Sequence, residues 1–127
     1  MDAMDALDAS AERVVELAGQ VGPEQWNHPT PCTEWDVRTL AGHLIAGMQG
    51  YCALLKGASA AEFSSMLERQ SEAAGADPVT TLKSGVRSIR AAFAEPGALQ
   101  RIVHHPVGDV PGSRLLAMRI ADNVVHS

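Results

Sequence analysis

Apolar residues recur along this chain at helical spacing, and the polar residues between them fall on the opposite face. From Asp2 to Val21, Leu7, Val14, Leu17 and Val21 form one stripe, widened by Val15 and Ala18. Asp8, Glu12, Arg13 and Glu16 supply the polar side. This pattern predicts an amphipathic helix that ends near Gly19 to Gly22. A second stripe runs through Val37, Leu40, Ala41, Leu44, Met48, Tyr51, Cys52 and Leu55. It predicts a helix from Val37 to about Lys56, with Asp36 as N-cap and Gly57 at its end. Gly47 and Gly50 lie inside that helix, where glycine is costly, so they predict close packing or access for something bulky. Ser59 to Ala73 reads as a shorter helical segment with Phe63, Met66 and Leu67 inward. Asp77-Pro78 is a cap followed by a proline at the first helical position. The next main helix is predicted from Val79 to Ala94, with Leu82, Val86, Ile89, Ala92 and Phe93 inward, stopped by Pro96-Gly97. A last one runs from Arg114 to the end, capped by Ser113.

The connections are marked by turn-forming residues. Gly22 to Trp35 contains Pro23, Pro29 and Pro31, which exclude long regular structure there. Trp26 and Trp35 are expected to pin this loop onto the core. Leu99 to Val110 reads as irregular, with Arg101-Ile102-Val103-His104 as a short extended piece. Repeats and low-complexity tracts are absent from the sequence. The expected fold is an all-α bundle of four main helices joined by structured loops.

Composition narrows the class. With 127 residues the chain is expected to form one domain, residues 1–127. Hydrophobic residues make up 46% and charged residues 20%, which is globular rather than disordered composition. No apolar run approaches the roughly 20 residues that span a bilayer. The acidic N-terminus does not read as a signal peptide. Fifteen acidic against ten basic residues give a net charge of −5, which argues against a nucleic-acid partner. Two cysteines, Cys32 and Cys52, are too few for a disulfide framework, and reduced thiols in a cytoplasm are expected.

Among five histidines, His43 stands out because it sits mid-helix at the edge of the buried stripe. It reads either as a core-edge histidine bonded to a neighbour or as a ligand. Asp122 and His126 are four apart, so they share one helix face with Cβ atoms about 5–6 Å apart. They read either as an exposed acid–histidine pair or as a chelating pair for a divalent cation such as zinc or nickel. Together, His43, Asp122 and His126 would place three ligands in a bundle core and leave a coordination position open. Arg119, one turn before Asp122, could orient it or form an exposed ion pair. Cys32, just before a helix N-terminus, reads as a packed loop residue or as a thiol of lowered pKa. Cys52 reads as core. His28, His104 and His105 show no partner pattern and receive no role.

The stretch Pro29-Thr30-Pro31-Cys32-Thr33-Glu34-Trp35-Asp36-Val37-Arg38-Thr39-Leu40-Ala41-Gly42-His43-Leu44 resembles the signature of the mycothiol-dependent maleylpyruvate isomerase N-terminal family, within the DinB-like superfamily. Phe93 to Gly97, Val107 to Gly112 and Arg119 to His126 extend the resemblance over essentially the whole chain. It implies an actinobacterial, cytoplasmic four-helix bundle with one divalent metal. By position, the family's metal ligands fall on His43, Asp122 and His126. The isomerase has Glu where this chain has the shorter Asp122. The family pattern continues beyond Ser127, so the fourth helix is expected to be shortened, and a second domain like the isomerase's is missing from this sequence. For that reason maleylpyruvate isomerisation itself is not expected.

The resulting expectation is a metalloenzyme, a thiol transferase or isomerase-like protein. A divalent metal, zinc first and nickel as alternative, would activate mycothiol or a similar small thiol for attack on a small electrophile. Two rivals stand beside it. One is a non-catalytic metal- or ligand-binding module. The other is a helical interaction protein with a decayed metal site, offering Leu115, Leu116, Ile120, Val124 and Val125 to a partner or to a symmetric homodimer.

Overall fold

The structure is a computed structural model that describes residues 2–30 and 36–126, with Ser71 described by its main chain only. Four long helices form the bundle: α1 (Ala3–Gly19), α2 (Val37–Leu55), α5 (Pro78–Ala94) and α6 (Gly112–Val125). Two short helices, α3 (Ala60–Glu68) and α4 (Gln70–Ala73), lie between α2 and α5. A hairpin of β1 (Ile102–His105) and β2 (Gly108–Pro111) precedes α6. No described helix is long and apolar enough to cross a membrane.

The helix starts follow from local chemistry. Asp36 accepts the Thr39 N–H at 2.8 Å, and Asp77 accepts the Thr80 N–H at 3.2 Å with Pro78 at the first helical position. Ser59 and Glu62 form a reciprocal capping box at the start of α3. The predicted segment from Ser59 to Ala73 is thus real, but it breaks at Arg69 into α3 and α4. Neither Gly nor Pro marks that break in the sequence.

Ser113 does not cap α6. The helix begins two residues earlier than expected, at Gly112, and its first amides donate to main-chain carbonyls instead. Gly112 N–H reaches Arg101 O at 2.7 Å, and Ser113 N–H reaches Leu99 O at 2.8 Å. A Cβ on Gly112 would lie 1.9 Å from the Ala98 carbonyl oxygen, so only glycine permits this approach.

The stretch read as irregular contains a regular hairpin. Its strands are antiparallel, with Val103 opposite Val110 and His105 opposite Gly108. Pro106 sits in the turn, Gly108 takes φ +126°, and Pro111 ends the ladder. Each breaker therefore occupies a place a hairpin tolerates. Val103 and Val110 turn inward onto the core.

That core gathers Leu7 and Val14 from α1, Leu44, Ile45, Met48 and Leu54 from α2, Leu82, Ile89 and Phe93 from α5, and Leu115 and Leu116 from α6. Trp26 is also buried. Its carbonyl accepts the Arg38 N–H at 2.7 Å, fastening the short helical turn Pro23–Gln25 to the head of α2. Trp35 and Cys32 fall outside the described residues.

The helical interaction face expected on α6 is not one surface. Leu115 and Leu116 lie in the core, Ile120 is partly buried against it, and only Val124 and Val125 are exposed. The 3.6-residue period turns the first two away from the last two.

Candidate functional site

His43 projects from the middle of α2 toward the last turns of α6, where Asp122 and His126 sit one turn apart. The three side chains converge, and one donor atom from each lies within 4.8 Å of the others. His43 Nε2 is 3.4 Å from Asp122 Oδ1, and His126 Nε2 is 3.2 Å from the same oxygen. The imidazoles meet edge to face, with ring centroids 4.9 Å apart. All three side chains are partly buried, at 20%, 27% and 15% exposure for His43, Asp122 and His126.

Two residues hold this group from behind. His43 Nδ1 lies 3.0 Å from Gln70 Oε1, an acceptor, so Nδ1 carries the proton. In neutral His43, Nε2 then presents a lone pair to the Asp122 carboxylate. Arg119, fully buried, donates from Nη2 to Asp122 Oδ2. The guanidinium also lies over the Tyr51 ring, with Cζ 5.2 Å from its centroid. Room for it exists because residue 47 is glycine: a Cβ there would come 2.5 Å from Arg119 Nη1. Gly50 serves the same end against Phe63. Both helix-interior glycines thus permit close packing.

The electrostatics match the geometry. Hydrogen bonding to Asp122 raises the His43 pKa, against the opposing effect of burial. Burial lowers that of His126. For Asp122, burial pushes the carboxyl up, but the His43 hydrogen bond and the Arg119 charge outweigh it and hold it below its usual range. The lone pair of neutral His43 facing a carboxylate oxygen calls for a positive charge, either a proton or a cation. The donor set fits a divalent ion. In a tetrahedral zinc site, ligand atoms about 2.0–2.1 Å from the metal stand roughly 3.3 Å from one another; the two separations from Asp122 Oδ1, 3.2 and 3.4 Å, are close to that, and the two imidazole nitrogens lie within 4.8 Å of each other.

His43 and Asp122 open onto a cleft of about 640 Å³, while His126 lines a separate apolar pocket beside Val14, Trp26 and Leu82. His43, Gly47 and Tyr51, spaced one turn apart on α2, line the cleft, with Phe63 and Leu67 from α3 and Met118, Asp122 and Val125 from α6. The hairpin contributes His105 and Pro106. This volume is typical of small-molecule sites.

Of the other sequence candidates, Arg119 is the buried partner of Asp122, not an exposed ion pair. Cys52 is partly buried on α2, and burial raises its thiol pKa. His28 is exposed, and His104 pairs across the hairpin with Asp109 at 2.9 Å. Sequence reasoning missed Gln70 and His105. Gln70 meets His43 across 27 positions with no motif to join them. His105 was hidden because the extended piece read there ended at His104 and its pairing with a second strand was not legible.

Fold and site define a class: a helical bundle that brings two histidines and a carboxylate together from two of its helices. The family model for the mycothiol maleylpyruvate isomerase N-terminal domain matches residues 7–127, and the chain belongs to that family. Two uncharacterized proteins from two strains of Mycobacterium tuberculosis are each 27% identical over 127 residues, covering 100% of this chain and 64% of theirs. The crystal structure of the mycothiol-dependent maleylpyruvate isomerase matches with a TM-score of 0.81 at 14% identity. That match covers 98% of this chain and 57% of the isomerase chain. A histidine-to-alanine mutant of the isomerase gives a TM-score of 0.80. The chain therefore spans less than two thirds of the length of these relatives. The structural match establishes the fold, a helical bundle.

Proposed function

We propose that residues 1–127 form one metal-binding domain that activates a small thiol for attack on a small electrophile. The observation that carries the proposal is the convergence of His43, Asp122 and His126, two of which, His43 and Asp122, line an apolar-walled cleft. These three side chains would hold a divalent cation, with zinc the first candidate and nickel the second. When bound, the ion supplies the positive charge that keeps a thiol as thiolate near neutral pH. Mycothiol is the thiol in whose name the structural neighbour is described, and we carry it to this chain as part of the proposal. A cytoplasmic setting goes with it.

The chain's own residues have separate tasks. Gln70 fixes the His43 ring so that Nε2, not Nδ1, faces Asp122. Arg119 anchors the far oxygen of Asp122 and leaves Oδ1 toward the imidazoles. Phe63, Leu67, Met118 and Val125 keep the cleft walls apolar, which strengthens electrostatic interactions inside it.

Elemental analysis of untagged protein tests the proposal directly. Near-stoichiometric zinc or nickel is expected in the parent and its loss in His43→Ala. Absence of metal after incubation with excess zinc overturns the metal reading. Metal-loaded protein is then expected to consume mycothiol in the presence of an electrophile, and a chelator is expected to stop it. Metal binding without thiol consumption would leave a binding module rather than an enzyme.

A further inference from the structure

We infer that His105, on the hairpin, is a ligand-reading residue whose Nε2–H donates to an oxygen acceptor of the molecule held in the cleft. The inference rests on the reading of that cleft as the place where a small thiol meets its electrophile.

Three observations carry it. First, His105 lines the same cleft as His43 and Asp122, although it comes from a different element. Second, its tautomer is fixed. The Val107 N–H donates to His105 Nδ1 at 3.1 Å, so Nδ1 accepts and the proton of the neutral ring sits on Nε2. That proton has no partner among the described residues. Third, the ring is seated among aromatic side chains. Its centroid is 5.4 Å from that of Phe63 and 6.2 Å from that of Tyr51, and the latter contact is edge to face. Burial lowers the pKa of His105, which favours the neutral, single-donor form. A core histidine would have both nitrogens satisfied, and a surface histidine would not be locked by a turn amide against aromatic rings.

Position sets what this donor would read. Tyr51 lies two helical turns beyond His43, roughly 12 Å along the axis. His105 packs against the rings of Tyr51 and Phe63. It reads an acceptor oxygen of the ligand beside the rings of Tyr51 and Phe63. Two ligands could carry such an oxygen: the body of the thiol, which has hydroxyl and amide oxygens if it is mycothiol, or a carboxylate on the electrophile.

Two measurements test the inference without relying on turnover. In protein with ¹⁵N-labelled histidine, NMR is expected to show His105 as the Nε2–H tautomer, assigned by comparison with His105→Gln. The opposite tautomer, or rapid exchange between the two, overturns the inference. Calorimetric titration then uses two probes, mycothiol and maleate, the latter a plain unsaturated dicarboxylate. His105→Phe keeps a ring and loses the donor; His105→Gln keeps an N–H donor. About a tenfold loss of affinity is expected in His105→Phe for one probe, as for one hydrogen bond, with substantial recovery in His105→Gln. Loss for mycothiol assigns the oxygen to the thiol, and loss for maleate assigns it to the electrophile. Equal affinities in wild type and His105→Phe overturn the inference, as does a wild type that binds neither probe. Circular dichroism checks that both variants keep the helical fold. The metal content of the same samples reports separately on the metal reading, so either idea can fail without the other.

Discussion

Arg119 shows how much of this site depends on one side chain that a ligand need never touch. It is buried, bonded to Asp122 and laid over Tyr51, while Nε and Nη1 lack hydrogen-bond partners among the described residues. A buried guanidinium is worth keeping only if its charge is answered, and here a carboxylate and a ring face answer it. Arg119→Leu would leave Asp122 without its anchor. The expected cost is about 1–3 kcal/mol in denaturant unfolding, with a 10–100-fold loss of metal affinity. Gly47→Ala tests the same anchor from the other side. Its Cβ would press on Nη1, the far end of a long side chain, so the expected loss is greater in metal affinity than in melting temperature. The three proposed ligands and Arg119 were all visible in the sequence, because Asp122 and His126 share a helix face with Arg119 and the family signature contains His43. Gln70 and His105 were not. Both reach the site through long-range packing, which local periodicity does not encode.

At the level of elements, caps decide where α2 and α5 begin. Hydrogen bonding to Thr39 lowers the Asp36 pKa, and Thr80 does the same for Asp77. A carboxyl with a lowered folded-state pKa contributes stability above its unfolded pKa and loses it as pH falls through the folded value. Wild type is therefore expected to exceed Asp36→Asn in stability above about pH 5, and the difference should vanish on further acidification. Parallel pH titrations of urea unfolding would show it. Asp36→Ala should cost about 1 kcal/mol at neutral pH. Gly112→Ala should cost more, about 3 kcal/mol or above, because the obstacle is a main-chain carbonyl that cannot rotate away. The long helices were legible because their stripes, caps and stops agreed. Of the hairpin only the first strand was read, as the extended piece Arg101 to His104; the second was not, because the strands are four residues each and the Pro and Gly residues read as breakers. The break at Arg69 carried no sequence mark at all.

For the whole molecule, the candidate ligands tie α2 to α6, with His43 and Asp122 standing 79 positions apart in the chain. An ion held by both favours the folded over the unfolded state by mass action. At a free metal concentration of about 100 times the dissociation constant, the gain is about 2.7 kcal/mol. Zinc is accordingly expected to raise the melting temperature of wild type, a chelator to reverse the rise, and His43→Ala to show neither. A metal-induced rise of equal size in His43→Ala would place the binding elsewhere.

The buried face of α6 also bears on how the bundle finds a single arrangement. Arg119 and Asn123 sit one turn apart on it, and Asn123 Nδ2 reaches Ser10 Oγ at 3.2 Å on α1. With leucines and isoleucine alone, that face could settle one turn higher or lower against its neighbours at little loss of burial. Such a slip, about 5.4 Å, would carry the guanidinium away from Tyr51 and the amide away from Ser10, stranding two polar groups in a dry interior. The pair works like the notches of a key. It rejects misaligned docking of the helix and so delivers Asp122 and His126 to the height on α2 at which His43 stands.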